Sequence, residues 1–346
     1  EIPNAFSESG VAILTANRGL NEITASQEFR GWLGVWEARG QGLGGWDLEA
    51  HHAYDPASKV LYLGDGTTRQ ADTIGGVIDT VAGGSPSGPT NGDGGPATAT
   101  RLNLPLGVAA GPDGSLYIAQ SFEARVRRVD PDGILWTYAG TTPGFGGDGG
   151  PATEAQLRDP VALALGADGS LYIADFSNQR IRRVDPNGVI TTFAGNGIRG
   201  FAGDNGPATE AQIAGVEGIA VAPDGSVYIA DTRNGRVRRV RPGGNITTVA
   251  GTGAAASRGD DGPAREADLL YPSGIVVGPD GGVYISEYSG VVRRIAPDGI
   301  IRNVAGVVGQ QGFAGDGMPA VEAKLNLPHG LALGADGNLF IVDTLN

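Results

Sequence analysis

The sequence predicts an all-β protein, a six-bladed β-propeller whose blades each contain four strands. Two repeated markers predict this fold. The first is Gly-Asp-x-x-Pro-Ala, whose aspartates recur at intervals of 55 or 56 residues: Asp93, Asp148, Asp204, Asp260 and Asp316. The second is Asp-Gly before an apolar run, at the same intervals: Asp113, Asp168, Asp224, Asp280 and Asp336. A period shared by two markers is typical of a repeat architecture.

One repeat unit shows how four strands arise. Val161–Leu165 is apolar on both faces, as an inner strand should be, and the Asp-Gly turn leads into a second apolar strand, Leu171–Ala174. Arg180–Val184 is more polar and is therefore predicted nearer the rim, and Val189–Ala194 forms the fourth strand. An antiparallel meander of this kind is the unit of a propeller blade.

The repeats divide the chain into a short N-terminal β segment, residues 1–45, and a propeller, residues 46–346. We interpret residues 1–45 as the tail of a preceding, plug-like β-domain, because Val11–Thr15 and Thr24–Ala38 look like strands outside the repeat. The blades are predicted at approximately 46–83, 84–140, 141–195, 196–251, 252–306 and 307–346. The last blade is truncated, since the period places its end near residue 362, and we expect the natural chain to continue.

The composition excludes several classes of function. The chain contains no cysteine, so it has neither disulfides nor thiolate metal sites. Its formal net charge is −13, which argues against nucleic acid as a partner, because binding to phosphates depends on a surplus of basic side chains. No apolar stretch is long enough to span a bilayer, which argues against direct membrane insertion.

Three motifs that recur in order carry a family resemblance. Leu-Tyr-Ile-Ala-Asp stands at 171–175, Asn-x-Arg-Ile-Arg-Arg-Val at 178–184 and Ile-Thr-Thr-Phe-Ala-Gly at 190–195. This series resembles the NHL repeat. The junction formed by residues 42–56 and 61–69 resembles the entry to the NHL propeller of teneurins and their bacterial RHS (YD-repeat) relatives.

The resemblance implies a setting for this chain. In that family a plug-like β-domain precedes the propeller and a large YD-repeat shell follows it. The resemblance therefore implies that this chain is part of a large bacterial protein that is secreted or displayed at the cell surface.

The residues that end the second strands form the first candidate site. They are Asp65, Gln120, Asp175, Asp231, Glu287 and Asp343, and ring closure would place them on one circle. This acidic collar is able to hold a cation or a basic partner. The structural alternative is that each acid caps its turn or pairs with an arginine, for example Asp175 with Arg180. Repetition in nearly every blade favours the structural role.

The sequence contains two candidate metal sites. The loop 259–268 is the best candidate for calcium, with four acids: Asp260, Asp261, Glu266 and Asp268. His329 and either His51 or His52 meet near the closure if the ring closes, which is the arrangement a zinc site would need. Each loop has too few acidic side chains to supply the roughly six to eight oxygens that calcium takes unless carbonyls help, and histidine is scarce, so the sequence predicts no cofactor, with calcium as the alternative.

The arginine pairs are predicted to be solvated rim residues neutralised by neighbouring acids. They stand at 127–128, 182–183, 238–239 and 293–294. A basic stripe for anions is the alternative.

These observations favour a non-catalytic interaction and scaffolding domain. We expect its partner to be a protein or glycan surface, or the rest of its own longer chain, and we expect Phe145, Phe201 and Phe313 on the long loops to contact it. The alternative is a propeller enzyme of the lyase or lactonase type with a metal in the central channel. Three histidines and an even repeat argue against that alternative.

Overall fold

The computed structural model describes residues 80–84, 88–89, 92–334 and 336–346, together with the backbone of six earlier strands. Those six are Val11–Thr15 (β1), Glu28–Arg30 (β2), Val35–Glu37 (β3), His52–Asp55 (β4), Val60–Leu63 (β5) and Thr68–Gln70 (β6). Strands β4, β5 and β6 form one antiparallel sheet and β2 pairs with β3. Of the predicted fourth strand of that first blade, residues 77–83, residues 77–79 lie outside the described residues and residues 80–83 are not part of a strand.

The rest of the chain is made of short strands. They are Gly95–Pro96 (β7), Pro105–Ala110 (β8), Leu116–Gln120 (β9), Arg125–Val129 (β10), Ile134–Ala139 (β11), Pro160–Leu165 (β12), Leu171–Asp175 (β13), Arg180–Val184 (β14), Ile190–Ala194 (β15), Gly218–Val221 (β16), Val227–Asp231 (β17), Arg236–Val240 (β18), Ile246–Ala250 (β19), Gly262–Pro263 (β20), Pro272–Val277 (β21), Val283–Glu287 (β22), Val291–Ile295 (β23), Ile300–Ala305 (β24), Pro328–Leu333 (β25) and Leu339–Asp343 (β26).

The helices of this part of the chain are single 3-10 turns, and none approaches the length needed to cross a membrane. Five follow the proline of the repeated loop: Ala97–Ala99, Ala152–Glu154, Ala208–Glu210, Ala264–Glu266 and Ala320–Glu322. One of them, Ala152–Glu154, directly follows Pro151. Two more, Phe176–Asn178 and Thr232–Asn234, lie between second and third strands.

Four successive antiparallel meanders confirm the all-β prediction. Strands β8–β11, β12–β15, β16–β19 and β21–β24 each form such a sheet in chain order. The first strand of each sheet contacts the first strand of the next, from β8 through β12, β16 and β21 to β25. We call these sheets blades, because sheets that meet along their first strands have the arrangement of propeller blades. Closure into six blades stays a prediction.

The last sheet differs from the others. Strands β25 and β26 are antiparallel, as elsewhere, but the third strand is β1, which pairs with β26 in parallel, from Val11 opposite Leu339 to Thr15 opposite Asp343. The N-terminal segment therefore pairs with the last sheet of the chain.

The core lies between neighbouring blades. Ile181 and Ala194 of one blade pack with Ile213 and Ile229, which precede or belong to the next. All four are completely buried. Because each sheet covers its neighbour's apolar face, a single repeat has no core of its own.

Glycine lets the inner strands approach closely. A Cβ on Gly218 would lie 2.0 Å from the carbonyl oxygen of Ser273, and one on Gly274 would lie 1.7 Å from that of His329. Both distances are far inside van der Waals contact, so no larger residue fits at either position without moving the backbone.

Candidate functional site: the loop face and its buried arginines

The two ends of the blades differ in what they carry. Because the strands alternate in direction, first strands begin and second strands end at the same end, as Pro160 opposite Asp175 shows. We call this end the loop face, since it carries the connections between blades and those between second and third strands. The opposite end, which we call the turn face, carries the tight turns such as the one at Asp168 and Gly169.

Each complete blade holds a fully buried arginine in its third strand. They are Arg127, Arg182, Arg238 and Arg293, each 0% exposed. In the blade β12–β15, Arg182 Nη2 donates to Asp148 Oδ1 at 2.7 Å and Nη1 to Asp175 Oδ2 at 3.5 Å. The guanidinium also donates to the carbonyls of Gln156 and Gly146. One arginine thus joins the repeated loop aspartate to the acid that ends the second strand.

The other blades repeat this arrangement. Arg238 lies 2.7 Å from Asp204 and 3.3 Å from Asp231. Arg293 lies 2.8 Å from Asp260 and 3.3 Å from Glu287. Arg127 lies 2.6 Å from Asp93 and donates to Gln120 at 3.3 Å. A buried charge needs such partners, because leaving water costs an ion several kcal/mol.

The acid at the end of the second strand also holds two neighbouring segments in place, the loop before the first strand and the turn after the second. Asp175 Oδ1 accepts the backbone N–H of Arg158 at 2.6 Å, and Oδ2 accepts Asn178 Nδ2 at 2.8 Å. Asp231 does the same with Ala214 and Asn234. Burial raises the pKa of Asp175 to about 6 and that of Asp231 to about 6, because loss of solvation outweighs these hydrogen bonds.

The remaining predicted acids of this set have related positions. Burial also raises the pKa of Glu287 and of Asp343, and both side chains are fully buried. Asp65 lies outside the described residues. Asp175, Asp231 and Glu287 therefore bind arginine and backbone groups inside the blades, and their carboxylates do not face an open channel.

Two details of the sequence prediction were wrong. Asp175 pairs with Arg182, whereas Arg180 donates to the carbonyls of Asn178 and Asn196. The arginine pairs are not both solvated: the first member is buried, while the second lies near the surface, as Arg183 does with its 3.0 Å contact to Asp168. Successive side chains of a strand point to opposite faces, so the pair separates.

The three predicted loop phenylalanines lie on the loop face, and about two fifths of each is exposed. The guanidinium of Arg180 stacks 3.7 Å from the ring centroid of Phe145, and that of Arg182 lies 5.0 Å from it. Phe201 is covered in the same way by Arg236 and Arg238, at 3.8 and 4.9 Å. Phe145 and Phe201 each shield a buried arginine on one side and face solvent on the other, and Phe313 occupies the matching loop position before the last blade.

Three of the four acids of the predicted calcium loop already pair with arginines. Asp260 binds Arg293, Asp261 binds Arg302 at 3.0 Å, and Asp268 binds Arg258 at 3.3 Å. Glu266 ends the one-turn helix Ala264–Glu266. Over the part of the chain that the structure describes, no three acidic or histidine side chains gather in a group that could hold a metal ion.

A polar cluster that the sequence analysis missed lies at the start of the first strands. His329 Nε2 lies 3.6 Å from Glu217 Oε2, which also accepts the Tyr288 hydroxyl at 2.8 Å. Burial and the neighbouring carboxylate raise the pKa of Tyr288. His51 and the side chain of His52 lie outside the described residues. The sequence feature that could have revealed this cluster is a departure from the repeat, because Glu217 and His329 stand where other blades have Leu106 and Val161.

Comparison with known proteins gives matches to parts of the chain. Residues 145–195 match the teneurin NHL domain and residues 214–240 match the NHL repeat. Teneurin-m of Drosophila melanogaster is 28% identical over 327 residues, which is 87% of this chain and 11% of that protein. The chain thus spans about a tenth of the length of this relative.

Comparison with solved structures gives matches at low sequence identity. An auxiliary nutrient binding protein from Bacteroides ovatus has a TM-score of 0.51 and 14% identity, over 84% of this chain and 65% of that chain. Virginiamycin B lyase from Staphylococcus aureus has a TM-score of 0.45 and 18% identity, over 69% and 63% of the two chains. At these levels neither protein indicates an activity for this one. The chain is therefore similar over most of its length to a segment of the teneurins, and it contains segments that match the NHL repeat.

Proposed function

We propose that this chain is a non-catalytic interaction domain that binds a protein partner through its loop face. Its place is within a large secreted or cell-surface protein of the RHS and teneurin type, and the partner is either a separate protein or the rest of the same longer chain. The observation that carries the proposal is the segregation of exposed apolar side chains to one face.

Most of the exposed large apolar side chains lie in loop-face connections. They are Leu104, Phe122, Phe145, Ile198, Phe201, Tyr271, Val308, Phe313 and Leu345. The turn face instead presents aspartates such as Asp113, Asp168 and Asp280, about half of whose side-chain surface is exposed. A one-sided apolar surface of this kind marks a protein–protein contact more often than it marks a solvated face.

The loops that carry these residues are held before any partner arrives. Asp148 is fixed by Arg182, and Asn178 Nδ2 donates to the carbonyl of Gly144 at 2.7 Å, next to Phe145. A side chain that is already ordered loses little conformational entropy on binding. Aromatic residues in such positions are typical anchors of protein interfaces.

The similarity to teneurins supports the setting of this proposal, since the match covers most of this chain and a small part of a much longer protein. The arginines bound to Asp260, Asp261 and Asp268 argue against a calcium cofactor, and the net charge of −13 argues against a nucleic-acid partner.

Loop-face substitutions test the proposal. We expect Phe145→Ala, Phe201→Ala and Phe313→Ala together to weaken binding of the fluorescently labelled chain to the surface of source-organism cells by at least about tenfold. Flow cytometry gives the binding curve, and thermal unfolding of the same samples checks the fold. Each Arg–Phe stack contributes about 0.5–1 kcal/mol at an exposed site, so the melting temperature should fall only a little.

The matched control changes the turn face, with Asp113→Ser, Asp168→Ser and Asp280→Ser in one variant. It should bind as the unaltered chain does. Equal binding by the two triple variants, or loss of binding that follows the turn-face changes, contradicts the proposal. A collapse of the melting temperature in the phenylalanine variant would show that these residues belong to the core.

A further inference from the structure

The repeat is broken at one place on the loop face. At the repeat position occupied by Leu106 and Val161 in two blades, the next three blades have Glu217, Ser273 and His329. The residue after the second strand is likewise Tyr288 in the blade β21–β24. Departures from a repeat that cluster in space need a reason beyond the packing of a blade, since packing alone is served equally well by the residues of the other blades.

The polar residues from three blades meet around one carboxylate. Glu217 immediately precedes the first strand of one blade, Tyr288 follows the second strand of the next, and His329 lies in the first strand of the last. Glu217 Oε2 accepts the Tyr288 hydroxyl at 2.8 Å and lies 3.6 Å from His329 Nε2. The His329 side chain is 45% exposed and that of Glu217 19%, so solvent reaches both.

The backbone beneath this cluster is fixed. The Ser286 hydroxyl accepts the N–H of Gly274 at 2.8 Å and donates to the carbonyl of His329 at 2.8 Å. Ser286 and Ser273 are fully buried and their hydroxyls are 3.0 Å apart. The alanines Ala119, Ala174 and Ala230 occupy the position of Ser286 in the other complete blades. These hydroxyls therefore hold the His329 strand against its neighbour.

Aromatic rings border the cluster. Tyr271 is 46% exposed, and its ring lies 5.9 Å from that of Tyr288 at an angle of 51°. The exposed Arg233 is close enough to Tyr288 for its positive charge to oppose the rise in that residue's pKa, and its guanidinium lies 5.4 Å from the Phe176 ring centroid. The site thus offers an acceptor, a fixed donor, an imidazole and a flat apolar ring within one small area.

We propose that this cluster, Glu217, Tyr288, His329, Tyr271 and Arg233, is a carbohydrate-binding site. A sugar presents many hydroxyls, each both donor and acceptor, together with an apolar ring face. Glu217 accepts from such hydroxyls, Arg233 and His329 donate to them, and Tyr271 packs against the ring face. The opposite charges of Glu217 and Arg233 suit a neutral ligand better than an ion. This site is separate from the phenylalanine contacts of the proposed protein interface.

A glycan array followed by titration tests this site. The labelled chain is applied to a printed array of bacterial and animal oligosaccharides, and the strongest binder is titrated by isothermal calorimetry. We expect saturable binding of a neutral oligosaccharide, and we expect Tyr271→Ala and Glu217→Gln each to raise Kd by about tenfold. The matched control is Phe122→Ala, an exposed aromatic of the same face in another blade, which should leave Kd unchanged.

The array result decides the proposal in either direction. The absence of any saturable sugar, or a Kd that Phe122→Ala raises as much as Tyr271→Ala does, overturns it. A circular dichroism melt of each variant confirms that the fold is kept, and Tyr271→Phe provides a second test because it preserves the ring and should keep the affinity. Binding to cells that depends on Phe145 and Phe201, with no sugar bound, would leave the protein interface in place and remove this site alone.

Discussion

A buried arginine in the third strand of each complete blade explains why the repeat carries an aspartate in its loop marker and, in three of these blades, an acid at the end of the second strand. Arg182 is fully buried, yet both of its acidic partners come from repeated positions of the unit: Asp148 from the loop marker and Asp175 from the strand end. Within this chain the arginine follows the first aspartate by 34 residues and the second by 7. The Gly-Asp-x-x-Pro-Ala motif therefore serves to neutralise an interior charge.

Removing that charge should destabilise the fold strongly. We expect Arg182→Met to lower the free energy of unfolding by about 3–5 kcal/mol, because it leaves Asp175 buried without its cation. The adjacent Arg183→Met should cost less than about 1 kcal/mol, since Arg183 is a partly exposed partner of Asp168. Urea denaturation of the two variants gives the comparison. Equal losses would mean that burial of the arginine has no energetic consequence.

The sequence predicted where these residues stand but not their environment. A charged residue inside a strand is usually exposed, so Arg182 and Arg183 were both assigned to the rim. The distinction required knowing that a loop from the preceding blade brings Asp148 over the sheet. That contact joins residues far apart in sequence, and composition alone does not reveal it.

At the scale of elements, the connection between blades is the decisive feature. Ala152 donates its N–H to the carbonyl of Gly188 in the following blade, and its own carbonyl accepts the N–H of Gly140 from the preceding one. Pro151 lies opposite Val189 beside the outermost strand of the following blade. The same pattern recurs at Ala208. A proline-containing segment along an outer strand also discourages pairing with another molecule.

Glycine at the end of the fourth strand is required for this connection. Gly195 has a φ of +88°, and a Cβ there would lie 2.3 Å from the carbonyl oxygen of Gln179. Gly188 has a φ of +80° and nothing within 4 Å of such a Cβ. Both alanine variants suffer the cost of a left-handed conformation, about 1–2 kcal/mol. We expect Gly195→Ala to cost about 1–3 kcal/mol more, because it adds a collision with the backbone.

Thermal and chemical unfolding of the two glycine variants measure the difference. Equal destabilisation would show that the neighbouring strand moves away at no cost. Crystallography of Gly195→Ala would then reveal a displaced Gln179 carbonyl.

The strands themselves were largely predictable. The predicted Arg180–Val184 agrees residue for residue with β14, and the other three strands of that blade agree within one residue. Alternating strands and Asp-Gly turns are local features, so the sequence specifies them directly. The ladder between β1 and β26 was not predicted, because pairing over more than 300 residues leaves no local pattern.

For the whole molecule, the distribution of acids sets the response to pH. Hydrogen bonds from backbone N–H groups, helped by a neighbouring arginine, lower the pKa of the turn-face aspartates Asp113 and Asp280, whereas burial raises that of Asp175 and Asp231 to about 6. A carboxylate whose pKa is lowered by folding stabilises the folded state above its unfolded pKa of 3.8, and this stabilisation is lost as the pH falls. A carboxyl group whose pKa is raised by folding stabilises the folded state below pH 3.8, its unfolded pKa, and this stabilisation is lost as the pH rises through about 6.

We therefore expect the free energy of unfolding to be highest near about pH 4 and to fall towards pH 7. The net charge of −13 at pH 7 acts in the same direction through self-repulsion. In Asp231→Asn the decline between about pH 4 and pH 7 should shrink by about 2–3 kcal/mol, because that group no longer titrates. Asp168→Asn is the control, since its lowered pKa acts only at lower pH. A decline of the same size in both variants would contradict this assignment.

The shared bonds of Ala152 also determine how the molecule yields under tension. Because one residue is hydrogen-bonded to two successive blades, detaching either blade breaks a bond of the segment that joins it to the other. Under tension, unfolding is then expected to start at a terminal sheet and to proceed inward one repeat at a time. A domain built in this way transmits a pull between its two ends while its middle stays intact.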